Sequence, residues 1–229
     1  MNRYPDMTTA EGNLVYFDAL ETTNVQLSDI FKHIFNMRRY LGAIDVTLAE
    51  HLYLCGKLVD ALKVLPDIFT TQNNFVNNLV VQRGYAVAHD LHEYLVVDIP
   101  SGLKPYLPDY IKIEHKAEIH VHKSIGLPLD YRNDQLIKYI DQLALVIEMA
   151  YHHHPAAARV NKKVKSNWLE LKDLNTKLIR AGKNILDTYY SGSGHLPKTK
   201  LQHKTYVTNY LSSSIAKAKL ELSSQLETV

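Results

Sequence analysis

The stretch VTLAEHLYLCGKLVDALKVL, residues 46–65, decides the fold. Its apolar residues fall at Leu48, Leu52, Cys55, Leu58, Val59 and Leu62, the i, i+3, i+4 spacing of a helix that buries one stripe. Helical spacing recurs through most of the chain, while period-two alternation bounded by turn residues is hard to find over more than a few positions. The reading is all-α, with helices predicted near 24–40, 46–65, 78–96, 109–125, 133–152, 160–189 and 204–226. Pro66 closes the second helix, Pro100, Pro105 and Pro108 hold an extended connector after the third, and Pro128 and Pro155 bracket the fifth. Thr70 to Asn78 reads as a surface loop, and SGSGHLPK (191–198) as a linker, because it lacks the G-K-[ST] ending of a phosphate loop and no strand precedes it.

A chain of 229 residues, 46% hydrophobic and 22% charged, suits one globular domain or one domain with an extension, and excludes disordered, collagenous and coiled-coil classes. The net charge of +2 conceals two blocks of opposite sign. Residues 151–229 hold 13 Lys+Arg against 5 Asp+Glu, which leaves 13 against 19 for residues 1–150. The break near Pro155 predicts an acidic helical block over 1–154 and a basic C-terminal helical hairpin over 155–229 that packs on it. The single cysteine, Cys55, cannot form an internal disulfide, and its place on the core stripe predicts an inert thiol. No apolar run approaches the roughly 20 residues of a membrane helix. The start MNRYPDMTTAEGN lacks the features of a signal peptide, so a cytoplasmic location is expected.

The informative residues are ionisable groups on apolar stripes, because a buried unpaired charge is too costly to keep without a partner or a metal. His51 shares the stripe of the second helix and reads as a hydrogen-bonded core histidine or a ligand. Asp141 interrupts Ile137, Ile140, Ala144 and Ile147, and reads as an ion-paired carboxylate, with Arg132 as one possible partner, or a ligand. The third helix carries His89-Asp90-Leu91-His92-Glu93, running on to Asp98 and Lys104. Adjacent His89 and Asp90 can lean toward one ion with Glu93 a turn further along; the alternative is an exposed polar helix end with His92 and Glu93 in solvent. Two imidazoles and two carboxylates would form a mixed N and O site for one divalent ion, Co, Mn, Mg, Zn, Ni or Fe, with no choice among them readable. Such an ion suits phosphate ester hydrolysis.

This pattern resembles the HD superfamily of metal-dependent phosphohydrolases, whose His-Asp pair stands here as His89-Asp90. A V-x-x-A-E-H-type motif appears as Val46-Thr47-Leu48-Ala49-Glu50-His51, and a lone helical aspartate follows at Asp141. The segment from His89 through Asp98-Ile99-Pro100-Ser101 to Lys104 is similar to that of the 5'-deoxynucleotidase and bacteriophage-type branch. The resemblance covers residues 14–152, opening at Leu14-Val15-Tyr16-Phe17-Asp18-Ala19-Leu20. It implies an HD-domain helical bundle in which His51, His89, Asp90 and Asp141 hold the metal. Glu93 would position or activate the attacking water, and Asp98 would assist proton transfer at the phosphate or leaving oxygen. Lys104 and Arg39 would neutralise phosphate charge, with Arg38 competing for the second role. Tyr40 stands where deoxynucleotidases carry a tryptophan that packs the deoxyribose, which leaves sugar discrimination open. Of the two variable positions, His92 is expected in solvent.

The resemblance implies a deoxynucleotide hydrolase of bacterial or phage-infected cells that assembles as a homodimer or larger oligomer. A 5'-deoxynucleotidase would release one phosphate from a deoxynucleoside monophosphate. A triphosphohydrolase would release intact triphosphate from a deoxynucleoside triphosphate, and Lys112, Lys116 and Lys123 are candidate extra cations for it. A third reading, a nucleic-acid-binding protein, draws on the basic C-terminal block with Trp168, Tyr189, Tyr190, Tyr206 and Tyr210 interleaved. It is disfavoured because Trp168, Leu171, Leu174, Leu178 and Ile185 form a packing stripe.

Overall fold

The Thr47 hydroxyl accepts the Glu50 N–H at 3.3 Å while the Glu50 carboxylate accepts the Thr47 N–H at 2.7 Å, a reciprocal cap that starts the helix of residues 48–62. The computed structural model of the chain describes residues 4–63, 78–127, 129, 135–168, 171–191 and 199–226. In chain order the elements are β1 (Met7–Thr8), β2 (Leu14–Val15), α1 (Leu27–Ile34), α2 (Leu48–Leu62), α3 (Leu79–Ala88), α4 (Glu93–Val96), α5 (Pro108–Ile125), α6 (Gln135–Tyr151), α7 (Ala157–Asn167), α8 (Lys172–Ser191) and α9 (Lys200–Leu226). The class is all-α. The strands form only a small antiparallel pair, Met7 opposite Val15, which the periodicity reading did not anticipate because two-residue strands carry no period. Buried Asp29 of α1 ties that pair down by accepting from the Glu11 N–H and the Asn13 amide at 3.0 and 3.2 Å.

Helix α2 is the central element, enclosed by α3, α6, α8 and α9. Leu48, Leu52, Leu54, Cys55, Leu58 and Val59 are all completely buried, and a buried leucine of this kind contributes about 1.5–3 kcal/mol. Helix α3 lies so close to α9 that a Cβ on Gly84 would collide with Ala218 and stand 3.3 Å from the Ser214 carbonyl. Glycine is what permits that approach. Leu174, Leu178, Leu186, Val207, Leu211 and Ile215, all beyond Pro155, belong to the same hydrophobic core as the N-terminal helices.

Three expected helices differ in the structure. The helix expected over 24–40 spans only Leu27–Ile34, after which the Asn36 side-chain amide turns back to the Lys32 carbonyl at 3.0 Å. The helix expected over 78–96 stops at Ala88, turns through residues 89–92 and resumes briefly at Glu93, ending at Val97 with φ +63°. The helix expected over 160–189 is divided between α7 and α8 at Trp168, whose backbone leaves the helical region. Its indole N–H donates to Gln142 of α6 at 3.0 Å and its ring meets Tyr139 edge-on at 5.2 Å, so packing on α6 outweighs helix continuation there. Pro66, Pro128, Arg132, the 70–77 stretch and residues 192–198 lie outside the described residues. Among the described residues no helix is long and apolar enough to cross a membrane.

Candidate metal centre

His51 sits one turn into α2, His89 and Asp90 occupy the turn that ends α3, and Asp141 lies midway along α6. These three elements place one ligand atom from each of the four side chains within 4.8 Å of one another. His51 Nε2 is 3.2 Å from Asp141 Oδ1, and His89 Nε2 is 3.2 Å from Asp90 Oδ2 and 3.7 Å from Asp141 Oδ1. Both imidazoles are buried and both carboxylates half-buried.

The far side of each ring fixes its tautomer. His89 Nδ1 lies 2.9 Å from the Ala86 carbonyl, which can only accept, so Nδ1 carries the hydrogen and Nε2 presents its lone pair. His51 Nδ1 lies 3.0 Å from Glu148 Oε1 and donates to it, while the Tyr40 hydroxyl donates to the other Glu148 oxygen. Two bare Nε2 atoms then face carboxylate oxygens, an arrangement that repels unless a proton or a cation stands between them. Burial works against charging His51, and Arg39 does too, yet Cys55, Glu148 and Asp141 outweigh them and hold its pKa well above the usual histidine value. For His89 burial is likewise outweighed, by Asp90 and Asp141. Burial pushes Asp90 up, but His89 and Arg39 leave it well below the carboxylate range, and His51 and His89 do the same for Asp141 against its burial. Once the two Nε2 protons are given up, His51, His89, Asp90 and Asp141 offer a divalent ion two nitrogens and two anionic oxygens.

Around this centre Arg39 Nη1 donates to Asp90 Oδ2 at 2.9 Å and stands 3.9 Å from Glu93 Oε2. Arg38 instead pairs with Asp45 at the surface. Burial and the Asp90 charge push the Glu93 carboxyl well above its ordinary range against the pull of Arg39, and Asp98 adds to the upward push. Lys104 Nζ is bonded to Glu114 of α5 at 2.7 Å, which keeps the ammonium charged despite burial. A cavity of about 490 Å³, lined among others by His89, Asp90, Lys104, Glu114, Ile137 and Asp141, opens on the centre and is of the size that holds a small molecule, roughly 300–1,000 Å³. Of the expected substrate-binding and proton-transfer residues only Lys104 is in its lining: Arg39 and Glu93 stand behind Asp90, Tyr40 braces Glu148, and Asp98 is half-buried beyond α4.

Expectation and structure part at His92. The residue is buried, with Nε2 3.9 Å from Glu114 Oε1, and Glu93 is buried beside it. His92 and Glu93 follow buried His89 by three and four residues and share its inward face. Glu148 was missed, although it lies seven residues after Asp141 on the same face of α6 and interrupts the same apolar stripe. Cys55, expected to be inert packing, has its Sγ 3.5 Å from His51 Nε2. Of the lysines considered as extra phosphate contacts, Lys112 pairs with Asp109 at the surface, and Lys116 and Lys123 line a separate hollow with Leu20 and Glu21. The C-terminal tyrosines engage other rings of the protein, Tyr189, Tyr206 and Tyr210 around Tyr53 and the exposed Tyr190 stacked on Tyr151, with ring centroids 5.2–5.9 Å apart.

No family model matches the chain. It is similar to the protein described as "Uncharacterized protein YfdR" of Escherichia coli (strain K12), at 28% identity over 142 residues that cover 61% of this chain and 68% of that protein.

Proposed function

We propose that this protein is an HD-type phosphohydrolase that uses one divalent ion to remove phosphate from deoxynucleoside 5'-monophosphates. The observation that carries the reading is the meeting of His51, His89, Asp90 and Asp141 at the edge of a cavity that also presents Lys104. A divalent ion bound there would supply Lewis acidity and acidify a bound water. Every other contribution comes from side chains. Glu148 holds the His51 ring in the tautomer that presents Nε2, and Tyr40 holds Glu148. Arg39 orients Asp90 and adds positive charge close to Glu93.

Glu93, buried and proton-avid, takes the proton of the attacking water, and Lys104 neutralises phosphate charge at the cavity wall. Asp98 assists proton transfer at the leaving oxygen. The monophosphate reading is preferred to the triphosphate one because Lys112, Lys116 and Lys123 stand away from this cavity. The packing of Tyr189 and Tyr210 against Tyr53 argues in the same way against a single-strand stacking platform.

The test is product analysis of metal-supplemented protein with each deoxynucleoside monophosphate and triphosphate and the matching ribonucleotides. Orthophosphate and nucleoside from the deoxynucleoside monophosphates are expected. Intact triphosphate from a deoxynucleoside triphosphate would replace this reading with the triphosphohydrolase, and the absence of any product with every metal would refute the enzyme.

A further inference from the structure

Cys55 lies one turn after His51 on α2, is completely buried, and points its sulfur at the nitrogen that His51 turns toward the centre, 3.5 Å away. The sulfur, His51 and His89 offer ligand atoms within 4.8 Å of one another, the same span that encloses the two imidazoles with Asp90 and Asp141. The two sets share the histidine pair. The sulfur shares that span with the two imidazoles and not with both carboxylates; beside the histidine pair a thiolate would be a soft donor, and softness of the donor is what separates zinc, cobalt and iron from manganese and magnesium.

We propose that Cys55 is a further metal-ligating residue, which biases the centre toward thiophilic first-row ions, zinc and cobalt above manganese and magnesium. The assignment rests on the metal-centre reading above and extends it. On binding, the thiol proton leaves to solvent and the sulfur lone pair enters the metal–sulfur bond; no electron is transferred and no co-reactant is required. The histidine pair then serves an ion held by oxygens on one set of contacts and by sulfur on the other.

The test is the electronic spectrum of the full-length protein titrated with cobalt(II), compared with Cys55→Ser and Cys55→Ala, each checked for helical content by circular dichroism. The native protein is expected to show a near-ultraviolet sulfur-to-cobalt charge-transfer band together with visible d–d bands. Both variants should keep d–d bands and lose the charge-transfer band. In zinc–manganese competition, their preference for zinc should fall by about tenfold or more, the scale on which a lost contact at a metal site changes affinity. The alanine variant carries the test if serine, a hydroxyl in a closed core, prevents folding. Native d–d bands without a charge-transfer band would overturn the role of Cys55 while leaving the centre intact. A native protein with no d–d bands at all would overturn the centre and the cysteine assignment together.

Discussion

Glu93 and Asp90 stand three residues apart, and burial together with the Asp90 charge pushes the Glu93 carboxyl up. Their substitutions should nevertheless separate. Asp90→Ala removes a ligand and the partner of Arg39, so metal content and phosphatase activity should both vanish, as read by elemental analysis and phosphate release. Glu93→Ala should retain the metal and lose a factor of about 10²–10⁴ in kcat, the usual range for general acid–base work. Glu148→Gln separates holding a ligand from being one: the amide oxygen can still accept from His51, but the charge that raises ring basicity is gone. Metal affinity by calorimetry should fall about 10–100-fold. His51, His89, Asp90 and Asp141 were legible because each is a polar side chain in a place that packing would give to leucine, or part of a pair too dense for chance. Glu148 obeyed the same rule and was overlooked behind Asp141. Cys55 was invisible to it, since a cysteine on an apolar stripe looks like any other small apolar residue.

At the scale of elements, the long amphipathic stripes of α2, α5 and α6 gave boundaries close to those observed, because burial of one face and a cap or proline at the end act on the same residues. The breaks after Ala88 and at Trp168 escaped a local reading because their causes lie elsewhere in the chain. One positions His89 and Asp90 against α2 and α6, and the other docks an indole on α6. The contact of α3 with α9 offers a test. Gly84→Ala gains about 1 kcal/mol of helix propensity, yet its methyl group collides with Ala218. Overpacking of about 1–3 kcal/mol should leave the variant less stable in urea denaturation. Because α3 ends in the ligand pair, its metal affinity should fall as well.

The whole molecule is knit through α2. Charge asymmetry and Pro155 pointed to a division at 154/155, and the helices beyond that point close the core around α2, α3 and α6. A chain truncated after residue 154 would expose the faces that Leu174, Leu178, Val207, Leu211 and Ile215 cover. It should aggregate or lose its cooperative thermal transition, whereas the full chain should unfold in one step at a temperature that rises with added metal.

Trp168 is the chain's single indole, and its N–H is bonded to Gln142, the residue beside Asp141. Any adjustment of α6 when Asp141 takes up an ion is therefore transmitted to the only tryptophan fluorophore in the protein. Metal loading should be readable, without a label or a substrate, as a saturable change in emission on excitation near the red edge of the absorption band. Asp141→Ala should abolish that change while leaving the starting spectrum in place.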